Sequence, residues 1–157
     1  MAMIRKATAL DLDRIEHTYT ELLTYEQDHG GFSNWALGIY PVRATAERAL
    51  AADTLYVLEE DGEICASMNL NQDQPEEYAD IDWQYPAAPK EVMVIHTLCI
   101  PPSQARKGYG REMVCFAQEK AVQAGCTVLR IDTFLGNEPA KALYAASGFR
   151  IAGTGRM

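Results

Sequence analysis

The chain has little that would serve metal or redox chemistry. Its four cysteines, Cys65, Cys99, Cys115 and Cys126, form no CxxC pair. They share no ligand spacing with His17, His29 or His96, and there is no HExxH. They read as reduced, mostly buried small hydrophobes. No apolar run is long enough to span a bilayer, and no internal repeat or low-complexity stretch occurs. The opening MAMIRKATALDLDRIEH contains no signal-peptide core, so a cytoplasmic location is expected. Neither GxxxxGK[ST] nor GxGxxG is present, which argues against a P-loop or a dinucleotide fold. Between Arg48 and Lys90 there is no basic residue at all. With a net charge of −8 and no basic stripe, tight binding to a nucleic-acid backbone is not expected, and neither is a membrane partner.

What is present is an ordinary globular composition on 157 residues, enough for a single domain over residues 1–157 with its own core. The charge is unevenly placed. Ten carboxylates lie between Arg48 and Lys90, whereas nine basic residues against five acidic ones lie from Lys90 onward. An anionic cofactor on a basic site beside a cationic acceptor on an acidic one would fit that split; acidic loops that merely aid solubility would fit it too.

Along the chain, Met3 to Ala7 reads as a strand and Thr8 as a helix cap with Asp11 three residues on. Leu12, Ile15, Tyr19, Leu22 and Leu23 follow at helical spacing, and a short helix is expected from Thr45 to Ala52. Thr54 to Glu59 and Glu63 to Leu70 form a hairpin about Asp61-Gly62. Asn71 to Glu91 is a long acidic loop with Tyr78, Trp83 and Tyr85, which either line a pocket or pin the loop to the body. Val92 to Ile100 is an apolar central strand that stops at Pro101-Pro102. A helix follows with Tyr109, Met113, Phe116, Ala117, Ala121 and Ala124 on one face, and Gly125 ends it. Thr127 to Phe134 reads as a strand, Glu138 to Ser147 as a helix capped by Asn137 with Pro139 in its first turn, and Phe149 as the start of a last strand. The order β-α-α-β-β-β-α-β-α-β implies an α+β type of α/β protein, with a mixed, mostly antiparallel twisted sheet flanked by helices.

The chemistry concentrates after Pro101-Pro102, in Ala105-Arg106-Lys107-Gly108-Tyr109-Gly110-Arg111. Glycines let backbone N–H groups approach an anion, and the helix starting there adds unpaired donors and the positive end of its dipole. Arg106, Lys107 and Arg111 add formal charge, so the turn reads as a pyrophosphate cradle.

This stretch, with Asn137-x-x-Ala140-x-x-Leu143-Tyr144 and Gly148-Phe149, resembles the GCN5-related N-acetyltransferases over nearly the whole chain. The family loop is Q/R-x-x-G-x-G/A. Gly108 and Gly110 match it, but Ala105 stands at the first position, flanked by Gln104 and Arg106. The resemblance implies the acyl-CoA N-acyltransferase fold and acetyl-CoA (coenzyme A) as co-substrate, with no metal. It implies the cradle Arg106, Lys107, Gly108, Tyr109, Gly110 and Arg111, and main-chain contacts to the pantetheine arm at Leu98, Cys99 and Ile100, where the central strand splays from the next. It places Asn137 on that arm and Ala140 and Lys141 along the cofactor. Tyr144 becomes the proton donor to the departing thiolate. A covalent Cys99 is disfavoured, since the family uses direct attack by the amine.

The base that deprotonates the amine is open between His96, two residues before Leu98 and expected on the same strand face, the carboxylates Glu91, Asp80 and Asp82, and a water chain. The expected partner is a primary amine, cationic and small, bound near the first helix, the 31–43 segment and the acidic loop; a polyamine, an aminoglycoside-like drug, an amino-acid derivative and a protein lysine or N-terminus all stay open. The family is often dimeric, which leaves a homodimer open. Two other functions compete: a coenzyme A-binding sensor or regulatory module without turnover, and a nucleotide-binding protein using the same turn.

Overall fold

The structure is a computed structural model that describes residues 2–156. Among these residues there are five strands, β1 (Met3–Lys6), β2 (Leu55–Glu60), β3 (Glu63–Asn71), β4 (Val92–Cys99) and β5 (Val128–Arg130), of which β3 and β4 are near-continuous buried runs at the centre. They lie in sequence order in one sheet, antiparallel from β1 to β4, with β5 parallel to β4. The β2–β3 turn carries two successive positive φ angles, at Asp61 and Gly62, the pattern that matches strand twist in a two-residue hairpin.

Helices α1 (Leu12–His29) and α2 (Arg43–Ala51) cover one face. There Leu12, Ile15, Tyr19, Ala46 and Ala49 pack on Leu55, Val57, Ile64 and Cys99. The expected cap at Thr8 is present, with its N–H donating to Asp11 Oδ2 at 2.8 Å, though a 3-10 turn (Ala9–Asp11) precedes α1. Arg5 clamps this corner through Asp11 at 2.8 Å and Glu59 at 2.8 Å. Helix α3 (Tyr109–Gln123) covers the other face, where Tyr109, Met113, Ala117 and Ala121 meet Met68, Leu70, Met93 and Ile95. Ala124 does not join that face. It is exposed, because the helix has already ended beside Gly125. Helix α4 (Glu138–Ala146) starts at the Asn137 cap, whose side chain accepts from Ala140 N–H at 3.2 Å. Gln118 ties α3 to the end of α4 through Ser147 O at 3.1 Å.

Two strand expectations need correction. β5 is three residues long and does not reach Phe134, because the chain leaves β4 after Arg130, whose side chain is turned into the acidic loop. No strand begins at Phe149 among the described residues. The tail passes Ile81 near Gly153 and leaves a groove of 680 Å³ along β5, lined by Trp83, Tyr85, Leu129, Ile131 and Phe149.

Candidate active site

The β4–β5 ladder stops at Val94–Arg130, while β4 continues to Cys99. The edge of β4 that faces β5 is therefore open past Val94, as the splay expected from sequence requires. Near Leu98 the strand is also bulged. Asn69 pairs with His96 and Ser67 with Cys99, so three steps on β4 match two on β3, with Thr97 at φ 50°. The extra residue reverses strand parity. Leu98 packs with Ile100 on the α3 side, whereas His96 follows Val92 and Val94 on the side covered by the acidic loop. His96 and Leu98 are thus on opposite faces, which corrects the same-face expectation. Tyr40 hydroxyl bonds Thr97 Oγ1 and brings the 31–43 segment against the bulge.

At the far end of β4, Ile100 runs into the cradle. Arg106 and Gly108 take φ of 63° and 83°, which aim successive amides outward. Among the described residues, the N–H groups of Arg106, Lys107 and Gly108 meet no acceptor. Those of Tyr109, Gly110 and Arg111 are the unpaired first turn of α3, where Glu112 N–H to Gly108 O is the first bond made. Arg106, Lys107 and Arg111 are exposed around these amides, with Lys107 Nζ donating to Gln104 at 3.0 Å. Tyr109 turns its side chain inward to Glu60, so only its main chain faces the cradle. Gly110 is needed for packing: a Cβ there would lie 2.9 Å from Leu143 and 3.1 Å from Ile100. That contact joins the cradle, the end of β4 and α4 at one point.

Leu143 sits beside Tyr144, whose ring packs on Phe149 at 5.7 Å. The Tyr144 hydroxyl has no hydrogen-bond partner among the described residues. Burial, with help from the charge of Asp132, pushes its pKa up to about 12, so it stays protonated and can donate. Asn137 uses its oxygen as the helix cap, which leaves its NH₂ to donate. Ala140 is half-buried in the same turn, and Lys141 is held by Leu135 O and Glu138. Cys99 is fully buried and its thiol is pushed up to about 12 by that burial, which makes it a poor nucleophile.

Of the candidate bases, Glu91 caps its own turn through Ala88 N–H at 3.1 Å, and Asp80 and Asp82 are exposed. His96 is half-buried, with Nε2 2.7 Å from Asn71 Oδ1. Burial lowers its pKa below the ordinary value, against the pull of Asp132 and of Asp73. Asp132 emerges as a residue that sequence reasoning missed. It follows β5 at the mouth of the opening, accepts from Tyr78 hydroxyl at 2.7 Å, and acts electrostatically on both His96 and Tyr144. The loop aromatics act largely as anchors. Tyr78 and Trp83 pack edge to face, and Arg130 lies 4.0 Å over Trp83 while bonding Gln74 at 2.7 Å. Among the described residues no His, Cys, Asp and Glu group is placed to hold a metal ion, and no helix is long and apolar enough to cross a membrane.

The open β4 edge, the unpaired amides before α3 and the half-buried Tyr144 phenol thus lie on elements that meet at Gly110, Ile100 and Leu143. The sequence profile of the Acetyltransferase (GNAT) family matches residues 12–149, and the chain belongs to that family. Its fold is similar to that of a Staphylococcus aureus Mu50 protein named as an acetyltransferase, at 33% identity and TM-score 0.73, over 94% of this chain and 91% of that one. It is also similar to a GNAT-family acetyltransferase from Listeria monocytogenes 4b F2365, at 16% identity and TM-score 0.77, over 98% and 89% of the two chains. A third similar structure is yncA of Salmonella typhimurium, solved with its cofactor acetyl-CoA, at 18% identity and TM-score 0.67, over 97% and 81%. Comparison with curated protein sequences gives no match.

Proposed function

We propose that the protein transfers an acetyl group from acetyl-CoA to a primary amine by direct attack on the thioester, and that the acceptor is a small cationic molecule. The observation that carries this reading is the open β4 edge, whose end at Ile100 meets both Gly110 of the unpaired 106–111 amides and Leu143, the neighbour of the unpartnered Tyr144.

The 106–111 amides hold the pyrophosphate, with Arg106, Lys107 and Arg111 adding charge. The main chain at Leu98, Cys99 and Ile100 pairs with the pantetheine arm as an added strand would, and one N–H there polarises the thioester carbonyl. Asn137 NH₂ donates to the same arm, and Ala140 and Lys141 flank it. His96, neutral at pH 7 because burial lowers its pKa, takes the proton from the attacking nitrogen. Tyr144 gives its proton to the departing sulfur. Asp73 and Asp132 give the acceptor end a negative field that favours an ammonium.

The test is release of free thiol from acetyl-CoA with a panel of primary amines: a diamine, a polyamine, an aminoglycoside, an amino-acid amide and a lysine peptide. Saturable, amine-dependent release, with the acetylated amine found by mass spectrometry, supports the reading. Binding of acetyl-CoA without turnover on any amine would instead point to a sensor.

A further inference from the structure

The acceptor end of the site contains a side chain that the reaction described above leaves without a task. Asn71 is the last residue of β3 and pairs across to Val94 on β4. Its Oδ1 accepts the Asp73 backbone N–H at 2.9 Å and also lies 2.7 Å from His96 Nε2. A peptide N–H can only donate, so the atom it meets must be the carbonyl oxygen of the Asn71 amide. The orientation of that amide is thereby fixed. The same oxygen cannot donate to His96, so Nε2 must carry a hydrogen. A neutral imidazole with its hydrogen on Nε2 has its lone pair on Nδ1.

We infer that Asn71 is a positioning residue that locks His96 in the Nε2–H tautomer, and that Nδ1 is the atom that takes the proton from the amine acceptor. This rests on His96 being the base. The acceptor loses its ammonium proton to solvent, and the free amine nitrogen then forms the C–N bond as it gives its second proton to Nδ1. The C–S bond breaks, the sulfur takes the Tyr144 proton, and solvent restores the phenol and removes the proton from the imidazolium. Throughout, Nε2–H keeps its bond to Asn71, so the ring does not turn as its charge changes. The groups acting on the ring suit that cycle. Burial among Val94 and the loop favours the neutral base at rest. Asp132 after β5 through its charge, and Asp73 two residues past β3 through its backbone carbonyl and its charge, stabilise the cation once formed, and Tyr144 on α4 stays uncharged.

The first experiment is long-range ¹H–¹⁵N correlation NMR on the ¹⁵N-labelled full chain, with His96→Gln used to assign the signals among the three histidines. A pyrrole-type Nε2 and a pyridine-type Nδ1 for His96 at neutral pH are expected; a protonated Nδ1 in the neutral ring overturns the tautomer lock. The second is the pH–rate profile of thiol release with the amine of highest kcat/KM in the panel. Asn71→Asp places a carboxylate against Nε2 and should move the acidic limb up by about one pH unit or more, because the cation gains a partner. A limb that stays put overturns the positioning role. A full acidic limb in His96→Gln overturns the base assignment, and the tautomer lock is then judged on the spectrum alone.

Discussion

Replacing Tyr144 with phenylalanine removes one oxygen from a ring that keeps its contact with Phe149. The lost hydroxyl has no hydrogen-bond partner among the described residues, so no buried group is orphaned, and the stability change should stay within about 0.5 kcal/mol. Its effect on the reaction should be far larger. A positioned general acid contributes about 10²–10⁴-fold, or roughly 3–5 kcal/mol of barrier. The half-buried phenol, with its pKa pushed up to about 12, is fully protonated at neutral pH and fitted to donate. Tyr144→Phe should therefore lower kcat for thiol release by about 10²-fold or more and leave the Kd for coenzyme A within about twofold, since the interaction lost arises only as the thiolate departs. The loss should shrink for acetyl thioesters of more acidic thiols, which need no proton to leave. The assay is steady-state thiol release at saturating amine, with cofactor affinity measured separately by calorimetry. An unchanged kcat, or a loss confined to cofactor affinity, would refute the proton-donor role.

Gly108→Glu forces a side chain into φ 83° and puts a carboxylate among the cradle amides. It should abolish the thermal shift given by acetyl-CoA while the protein stays folded, and an unaltered shift would remove the cradle assignment. His96→Ala should flatten the acidic limb of the pH–rate profile. In the wild type that limb should lie below the ordinary histidine value of about 6.5, because burial disfavours the cation; activity then falls as pH drops and the base becomes protonated. Arg130→Ala removes the contacts to Gln74, Tyr85 O and Trp83 that pin the acidic loop. It should cost about 2–3 kcal/mol and speed limited proteolysis within residues 72–90, with the acetyl-CoA shift retained. Equal cleavage rates in the two proteins would show that the anchor lies elsewhere.

The parts of the fold readable from sequence are those set by neighbours in the chain. Asp61-Gly62 makes its hairpin, Asn137 caps α4, and Gly108 takes a left-handed turn at the start of α3, because each conformation is decided within a few residues. The central strand was legible for the same reason. The bulge was not. Thr97 has no local preference for φ 50°, and pairing with β3 imposes it, so the expected alternation placed His96 on the wrong face. β5 was overestimated because its alternation continues beyond the point where β4 stops pairing with it. Asp132 escaped notice because its partner Tyr78 lies 54 residues away. Asn71 looked like the start of a loop, and its role depends on the chain folding back to present Asp73 N–H.

The melting temperature with and without acetyl-CoA, with ATP alongside, tests the central claim most directly. A ligand at about 100 times its Kd stabilises the fold by about 2.7 kcal/mol. For a domain of this size that corresponds to a rise of roughly 5–11 °C. The predicted result is a rise of that order with acetyl-CoA and none with ATP. No rise with acetyl-CoA, or an equal rise with ATP, would contradict an acyl-CoA site built on the 106–111 amides and the open edge of β4.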